Sequence, residues 1–547
     1  MTEKEVDVLV VGAGPVGLTA ALQLARSGVS VRVVDAAPGP ATTSRALGVH
    51  ARSLEIFDQL GLLGDIAAHG TRVNAFIRHR AGRATRLDFD FTGLATRFPY
   101  MFNVDQVITE RVLRGHAAAA GVAVEWNTAL ESFQQDDDGV TALLRGGEGP
   151  GAVRETVRAR YLWGCDGGHS TVRKALRLPL AGEAAHTWLI ADALVHTDLD
   201  RDGVHWLFPA GGALMLFPFP EPGKWRLLDT TGDGRPEQPA QIARQFSAKL
   251  SQALGRDTTV EDPSWTSRFT IQQRAVPAMH VGRCFVSGDA AHVHSPASGQ
   301  GLNTGIQDAY NLAWKLAMVV RGQADPALLD TYDAERVPIG AALLASTGEV
   351  MDNAMVDTDT GAEGGDGRGA DRGFMRHLIR NMSGLLIAYP GSPLTVPNIT
   401  SGAGPAEGPR PGQRLTQISA ADAQSPGWTA LRTRLRTPAW HLLDFTGSGG
   451  HATGRQQAAA PVRPLPAWLS RVEIGRRRPD EGGPGVWDAD GRVQDTLAAR
   501  DGDWFLVRPD GYLSARGTGE AQLRTVLSQL KALHPRETAA ASEGSTA

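Results

Sequence analysis

Three aspartates, Asp35, Asp166 and Asp289, each follow a short apolar run and stand beside glycines or small residues. Each run is predicted to be a strand: residues 30–34, 161–165 and 284–287. After Asp289 comes a loop of small residues and then a helix predicted to start near Gly301, whose N-terminus would favour negative charge. The pattern predicts a site for an anionic or strongly polar ligand. The alternative is a set of tight turns that need glycine for steric reasons alone.

The first of these turns reads Gly12-Ala13-Gly14-Pro15-Val16-Gly17. It follows an apolar run at residues 6–11 and precedes a helix, a second strand and Asp35, which is the order of a dinucleotide-binding βαβ unit. Gly12 permits the tight turn, Gly14 lets the backbone approach a pyrophosphate, and Gly17 lets helix and strand pack closely. Asp35 would accept hydrogen bonds from the adenosine ribose. This unit does not by itself distinguish FAD from NAD.

Composition is that of a globular chain of 547 residues, 42% hydrophobic and 21% charged, with a net charge of −4. That balance gives no support to binding of nucleic acid or membrane surfaces by bulk electrostatics. The two cysteines, Cys165 and Cys284, each lie in an apolar run, so neither disulfides nor a metal site are predicted. The apolar run near the N-terminus is broken by glycines and follows no basic region, which favours a cytoplasmic enzyme over a secreted or membrane-anchored protein.

Between residues 180 and 280 short strands alternate with Gly and Pro turns, which predicts an antiparallel sheet. Its aromatic and soft apolar residues form a candidate substrate pocket: Trp206, Phe208, Met215, Phe217, Phe219 and Trp225. Such residues are more often plain core. Ile242, Phe246 and Leu250 recur on a helix predicted to cover one face of the sheet, which leaves the other face for an apolar ligand.

The remaining sequence suggests several units joined by less regular segments. Residues 102–107 are predicted as a strand and 109–120 as a helix, while the Gly/Asp-rich stretch 357–373 is predicted as a mobile loop. A Gly/Pro-rich linker at 401–412 precedes a small α/β module. The predicted domains are residues 1–178 with 275–345 (cofactor-binding), 179–274 with parts of 70–105 (antiparallel sheet), 346–400 (helical and loop connection), 401–535 (the C-terminal module) and 536–547 (disordered tail).

Three motifs in order resemble one family: Gly12–Gly17 with Asp35, Cys165-Asp166-Gly167, and Ser287-Gly288-Asp289-Ala290-Ala291-His292. The chain resembles the class A FAD-dependent aromatic hydroxylases, related to p-hydroxybenzoate hydroxylase and phenol hydroxylase, and among them the bacterial aromatic-polyketide hydroxylases. The implied fold is α/β: a Rossmann-type FAD-binding domain with an inserted antiparallel-sheet substrate domain and a C-terminal thioredoxin-like domain. Because neither cysteine lies beyond Cys284, this appendage is expected to be structural or to lie at a homodimer interface.

The resemblance implies FAD as cofactor and NADPH or NADH as a transient co-substrate, with no metal. In its pattern Asp35 holds the adenosine ribose and Asp289 holds the ribityl chain. Arg45 and Pro296 are the implied catalytic residues. The implied FAD contacts are Gly12, Gly14, Val16, Gly17, Asp35, Ala36, Arg45, Gln106, Asp166, Asp289, Pro296, Gly299, Gly301, Leu302 and Asn303. Two departures from the family pattern, Gly168 for alanine and Ala297-Ser298 after Pro296, remove no group that bonds FAD.

In the implied reaction NAD(P)H reduces FAD, the reduced flavin adds dioxygen to give a C4a-hydroperoxide, and an electron-rich aromatic ring attacks the terminal oxygen. The alternatives are Baeyer–Villiger or epoxidation chemistry on a similar substrate, a flavin oxidase or dehydrogenase that does not use NAD(P)H, and a flavin-binding regulator. No general base stands out. His50, His205, His292 and His294 qualify by residue type only, and His292 is expected to hold its own loop together.

Overall fold

The computed structural model describes residues 5–44, 46–80, 83–147, 149–209, 212–230, 238–294, 299–355, 367–397, 408–445, 465–476 and 485–534. The α-helices of this described part are, in chain order, α1 Pro15–Arg26, α2 Ala51–Leu60, α3 Leu63–Ala67, α4 Gln106–Ala119, α5 Thr171–Ala175, α6 Pro239–Leu254, α7 Gln300–Val320, α8 Asp330–Met355, α9 Gly367–Met382, α10 Pro426–Arg434, α11 Arg492–Thr496 and α12 Glu520–Gln529.

The strands of the same residues form three larger sheets and one small sheet. They are β1 Glu5–Val11, β2 Val31–Val34, β3 Gly48–Val49, β4 Thr71–Val73, β5 Ala75–Arg80, β6 Arg83–Asp88, β7 Met101–Asn103, β8 Val124–Glu125, β9 Thr128–Gln135, β10 Val140–Gly146, β11 Val153–Gly164, β12 Ala181–His196, β13 Gly203–Leu207, β14 Leu214–Pro218, β15 Lys224–Asp229, β16 Thr259–Val260, β17 Trp265–Ala275, β18 His280–Val281, β19 Cys284–Val286, β20 His292–Val293, β21 Trp440–Phe445, β22 Leu469–Gly475, β23 Val486–Trp487, β24 Asp503–Val507 and β25 Leu513–Thr518.

The first sheet has a parallel centre in the order β19–β11–β1–β2–β8. Strand β18 pairs antiparallel with β19, β10 pairs antiparallel with β11, and β9 pairs antiparallel with β10. Its central strands are apolar and buried, because α1 and α7 pack beside them. The carboxyl ends of parallel strands meet at one edge of a sheet. The turn after β1 and the aspartates Asp35, Asp166 and Asp289, which follow β2, β11 and β19, therefore come to the same edge.

The second sheet runs β20–β17–β12–β15–β14–β13–β5–β6, so β5 and β6 from the earlier part of the chain extend the predicted meander. Helix α6 covers one face, where Ile242, Phe246 and Leu250 pack against the strands. The opposite face, called the aromatic face below, carries Trp188, Trp206, Met215, Phe208 and Phe217. The prediction that α6 covers one face of this sheet is confirmed. Apolar side chains of α9 pack on the opposite face, and the prediction that this face takes an apolar ligand remains a prediction.

The third sheet, β23–β22–β21–β24–β25, lies in the C-terminal part of the chain and has its own apolar core. Four buried charged side chains join this part to α7 and α8: Lys315, Glu335, Arg508 and Asp510. They are called the buried charge network below. No helix among the described residues is long and apolar enough to cross a membrane.

Two predicted elements differ from the structure for identifiable reasons. The strand predicted at 102–107 ends at Asn103, because the Asp105 side chain accepts the amide of Val107 at 2.9 Å and caps α4, which begins at Gln106. Residues 367–373 belong to α9 rather than to a loop, since apolar side chains further along α9 pack against the aromatic face. Residues 356–366, 398–407 and 535–547 lie outside the described residues, and the predictions made for them remain predictions.

Candidate active site

The turn after β1 brings three backbone segments too close together for side chains. Gly12 has φ +101°, and a Cβ on it would lie 2.3 Å from the Cys165 carbonyl oxygen. A Cβ on Gly17 would lie 1.9 Å from the Gly12 carbonyl oxygen. A Cβ on Gly14, by contrast, would meet nothing within 4 Å. No side chain caps the start of α1, so the edge beside Gly14 is open to a ligand.

These contacts predict that one glycine variant changes the stability of the protein and that the other changes cofactor binding. Gly17→Ala is expected to lower the thermal unfolding midpoint of the apoprotein, because overpacking costs about 1–3 kcal/mol or more. Gly14→Ala is expected to leave that midpoint unchanged and to weaken binding of a cofactor at this turn about tenfold, since its methyl group points into the open space. Differential scanning fluorimetry and a cofactor titration would check both. If both variants lowered the thermal unfolding midpoint of the apoprotein equally, the space beside Gly14 would not be open as described.

Asp35 is anchored by the backbone of both neighbouring turns. Its Oδ2 accepts the Ala13 amide at 2.7 Å and its Oδ1 accepts the Ala37 amide at 2.8 Å. Asp35 is half-buried, and its neighbour Ala36 is exposed. Each carboxylate oxygen retains a second lone pair that can accept a ligand hydroxyl. The geometry therefore suits the predicted role of Asp35 toward a ribose.

Asp166 caps the helix that follows β11. Its Oδ2 accepts the amides of Thr171 at 2.6 Å and Val172 at 3.2 Å, and Ser170 caps the same helix as predicted, accepting the Arg173 amide at 2.9 Å. The other oxygen, Oδ1, is buried and has no hydrogen-bond partner among the described residues. A buried carboxylate oxygen without a donor is costly, so a donor from a ligand would stabilise it.

Asp289 lies exposed opposite the start of α7. Gly299, with φ +61°, precedes the helix, and no side chain caps it. A Cβ on Gly301 would lie 3.8 Å from Asp289 Oδ1 and 3.4 Å from His294 Cε1. The carboxylate and the helix N-terminus therefore border the same space, and Leu302 packs beside it against the core of the first sheet.

Asp308 of α7 holds the Gly288–Asp289 turn from behind. It accepts the Gly288 amide at 3.1 Å, His292 Nε2 at 2.7 Å and Arg336 Nε at 2.7 Å, and all three side chains are buried. Burial alone would raise the pKa of Asp308, but the charges of Arg336 and His292 hold it below its usual value. The prediction that His292 holds its loop together is confirmed.

Asn303 joins the start of α7 to β3. Its Oδ1 accepts the His50 amide at 2.8 Å, and its Nδ2 donates to the carbonyls of Gly48 at 2.9 Å and Gly299 at 2.6 Å. The side chain of Asn303 is therefore used within the protein, which leaves the backbone of this turn as the predicted cofactor contact.

Gln106 links α4 to the segment that leads into β3. Its Oε1 accepts the Ala46 amide at 2.9 Å and its Nε2 donates to Glu110 Oε1 at 2.7 Å. The two predicted catalytic residues, Arg45 and Pro296, lie outside the described residues, and their roles remain predictions.

The six predicted substrate-pocket residues do not share one face. Trp206, Phe208, Met215 and Phe217 lie on the aromatic face, and the Arg226 guanidinium stands 5.4 Å from the Phe219 ring on that side. Trp225 packs beneath α6 on the opposite face, because strand pairing sets it beside Pro218 rather than Phe217. Trp225 therefore lies apart from the other predicted pocket residues, and the pocket itself remains a prediction. His205, a candidate base by type, is also on that side, with its ring 5.6 Å from that of Trp225.

Sequence reasoning missed Trp188, Asp192 and Arg226 on the aromatic face. The two charged residues carried a signal, because a charge inside an apolar strand needs a partner when it is buried.

The residues at the edge of the first sheet fit FAD. The open space at Gly14 suits a pyrophosphate at the uncapped start of α1, and Asp35 suits a ribose. The unpartnered oxygen of Asp166 and the carboxylate of Asp289 offer acceptors for further hydroxyl and N–H groups of the cofactor. No group of three or more His, Cys, Asp or Glu side chains that could hold a metal occurs in the described ranges.

The chain belongs to the family described as FAD binding domain, whose family model matches residues 5–347. It is an FAD-dependent monooxygenase of the aromatic hydroxylase class, as predicted. It is 44% identical over 544 residues to 6-methylpretetramide 4-monooxygenase of Streptomyces rimosus, with 97% of this chain and 95% of that protein covered.

Two solved structures share the fold over nearly the whole chain. One is anhydrotetracycline hydroxylase from Streptomyces rimosus, with a TM-score of 0.69, 30% identity and coverage of 96% of this chain and 99% of that one. The other is a ternary complex of aklavinone-11 hydroxylase with FAD and aklavinone, with a TM-score of 0.72, 25% identity and coverage of 98% and 100%. The predicted mixed α/β fold with several sheets is confirmed.

Proposed function

We propose that the protein hydroxylates a phenolic or polycyclic aromatic substrate of polyketide type, with NADH or NADPH and dioxygen as co-substrates. The observation that carries this proposal is the aromatic face of the second sheet, where tryptophan, phenylalanine and methionine side chains lie between the sheet and α9, on the side away from α6. Relatives named for tetracycline-type substrates support the same substrate class. A buried setting with aromatic and other apolar side chains suits flat fused rings.

Bound FAD would carry electrons from the nicotinamide co-substrate to dioxygen and supply the oxygen-transferring chemistry. The residues of the chain would hold and shield it. Asp35 would hold the adenosine ribose, Asp289 the ribityl hydroxyls, and the start of α7 would stabilise negative charge by about 0.3–1 kcal/mol at a wet surface and by more in a closed site. The aromatic face would seat the substrate ring and exclude water.

Residues 1–178 and 275–345 would form the FAD-binding domain. Residues 179–274, with parts of 70–105, would form the substrate-binding domain. The C-terminal module is proposed to be thioredoxin-like. Both cysteines, Cys165 and Cys284, are free and lie outside this module, and burial raises the pKa of each thiol. The module would therefore act structurally, through the buried charge network or at a subunit interface in a homodimer, rather than by thiol exchange.

The experiment is NADH and NADPH consumption by the FAD-loaded protein against a panel of simple phenols, anthraquinones and tetracyclic polyketide aromatics, with product analysis by mass spectrometry and NMR. We expect substrate-stimulated consumption with one of the two nucleotides and a product heavier by one oxygen atom. We expect the new oxygen to be a hydroxyl group, because relatives of this chain are named as hydroxylases of polycyclic aromatic substrates.

Other outcomes would contradict the proposal in distinct ways. A ring-expanded lactone or an epoxide of the same mass would indicate Baeyer–Villiger or epoxidation chemistry instead. Substrate oxidation under anaerobic conditions without a nicotinamide would indicate a flavin oxidase or dehydrogenase. A control with Trp225→Phe, which changes the face beneath α6, should retain the substrate preference of the native protein.

A further inference from the structure

A small cavity lies between α2 and the C-terminal module, away from the edge of the first sheet where FAD would bind. Its volume is about 20 Å³, which is room for one water-sized group. Phe98 and Leu435 form apolar walls. Arg97, Thr416 and Arg432 line the rest of it together with polar residues of α2, so the cavity combines apolar walls with side chains that donate hydrogen bonds.

Asp58 of α2 borders this cavity and binds three guanidinium groups. Its Oδ2 accepts Arg97 Nη1 and, at 2.9 Å, Arg432 Nη1, while its Oδ1 accepts Arg436 Nη2 at 3.0 Å. Burial alone would raise the pKa of Asp58, but the charges of Arg97 and Arg432 hold it below its usual value. A single negative charge therefore faces three positive charges.

Glu55, one turn earlier on α2, also faces more than one cation. Its Oε2 accepts Arg52 Nη1 at 3.0 Å, and its Oε1 accepts Arg414 Nη1 at 2.7 Å. Around the cavity, five guanidinium groups are thus bonded to two carboxylates. Buried charges are normally balanced by a partner of opposite sign, so this surplus of positive charge calls for an anion.

Two further observations point to an anionic ligand at the same place. Arg432 Nε is buried and has no hydrogen-bond partner among the described residues. The pKa of Arg97 is lowered, because burial and the charge of Arg432 together outweigh the opposing effect of Asp58. A water molecule in the cavity would accept a hydrogen bond but would leave the charge surplus as it is. A monatomic anion would supply both an acceptor and a negative charge.

We propose that this cavity binds one chloride ion between Arg97 and Arg432. Chloride is only slightly larger than a water molecule, whereas a phosphate, a sulfate or a substrate carboxylate exceeds the volume of the cavity. Arg97 precedes β7 and Arg432 belongs to α10, so the ion would help to join the C-terminal module to the part of the chain that carries α2. This inference does not depend on the proposed function.

The test is thermal unfolding of the full-length, FAD-loaded protein in mixtures of sodium chloride and sodium gluconate at one fixed ionic strength. As chloride replaces gluconate, we expect the unfolding midpoint to rise by about 2–4 °C and then to level off, because a ligand that binds only the folded state stabilises it until the site is full. Bromide should act as chloride does. A crystal soaked in sodium bromide should show anomalous bromine scattering in the cavity.

Arg97→Met removes one cation and its N–H groups, and it keeps a flexible apolar side chain beside Phe98, over whose ring the Arg97 guanidinium lies at 4.9 Å. In this variant the chloride concentration that gives half of the rise should increase at least about tenfold, the loss expected for one charge-assisted hydrogen bond. Arg471→Met is the matched control, since Arg471 pairs with Asp444 on the third sheet and is 41% exposed. It should retain the chloride response of the native protein.

Equal midpoints of the native protein in chloride and in gluconate would show that the cavity holds water and would overturn the proposal. So would an undiminished chloride response in Arg97→Met. If that variant does not fold, the bromide soak of the native protein decides, because a cavity without bromine scattering is not a halide site. None of these measurements uses turnover, so failure of the hydroxylation panel would count against the proposed function alone.

Discussion

Glu335→Gln is expected to lower the free energy of unfolding by about 3–5 kcal/mol, because it leaves buried cations without their counter-charge. Glu335 accepts Arg508 Nη1 at 2.6 Å and Nη2 at 2.8 Å, and Lys315 Nζ at 2.8 Å. All three side chains are at most 1% exposed. The side-chain NH2 group of glutamine is itself a hydrogen-bond donor. It would point at the N–H donors of Arg508 and Lys315 and could not accept from them. Urea unfolding at pH 7, followed by tryptophan fluorescence, measures the change.

The pH dependence has a definite sign. Burial alone would raise the pKa of Glu335, but the charges of Arg508 and Lys315 hold it far below the ordinary value of 4.5. A carboxyl group whose pKa is lowered on folding contributes stability above its unfolded pKa and loses it as the pH falls. The difference in free energy of unfolding between the native protein and Glu335→Gln should therefore be at its full value at pH 7. It should shrink only below about pH 4.5.

Glu520→Gln is the matched control, because Glu520 pairs with Arg524 on the surface of α12 in the C-terminal module, where the arginine is 66% exposed. An exposed i,i+4 pair contributes only about 0.3–0.5 kcal/mol. If Glu335→Gln costs no more than this control, the buried charge network does not hold the C-terminal module to α7 and α8.

The cofactor-binding edge could be predicted from sequence because its signals are local. Gly12, Gly14 and Gly17 follow a buried strand within six residues, and each aspartate comes shortly after its own strand. The parallel pairing of β1, β2, β11 and β19 then places these residues together without any further specific contact. Local order and the geometry of a parallel sheet were sufficient.

The substrate side was less predictable because it depends on pairing between distant strands. Alternation along β14 and β15 separates Trp225 from Phe217, but which face α6 covers follows only from the register between strands. Arg226 and Asp192 are 34 residues apart, and Glu335 and Arg508 are 173 residues apart. A charged residue inside an apolar stretch indicates that it has a partner of opposite charge. Which residue is that partner depends on the tertiary structure.

Asp289→Ala is expected to weaken FAD binding roughly 30- to 150-fold, the loss that corresponds to about 2–3 kcal/mol of hydrogen bonding to a charged acceptor. Asp289 is exposed at the edge where the strands end, and its Oδ1 is 3.8 Å from the Cβ position of Gly301 at the start of α7. Its carboxylate is the group there that would accept the ribityl hydroxyls. Fluorescence titration of the apoprotein with FAD measures the dissociation constant.

Folding should be nearly unaffected by this change. The turn that presents Asp289 is fixed by Asp308, which binds the Gly288 amide, His292 and Arg336 behind it. None of these three hydrogen bonds involves the Asp289 side chain, and substitution of an exposed side chain usually changes stability by no more than about 0.5 kcal/mol. An unchanged thermal midpoint of the apoprotein would therefore show that weaker FAD binding is a local effect.

Gly301→Ala gives the complementary result. Its methyl group would lie 3.4 Å from His294 Cε1, an ordinary contact, so the fold should accept it. The ribityl hydroxyls are uncharged in either oxidation state of FAD, whereas negative charge would arise at the start of α7 only when bound FAD is reduced. Asp289→Ala should therefore release oxidised FAD, and Gly301→Ala should retain it with lower turnover. Full FAD occupancy and activity in Asp289→Ala would show that another group grips the cofactor, because the two variants act on different parts of one ligand.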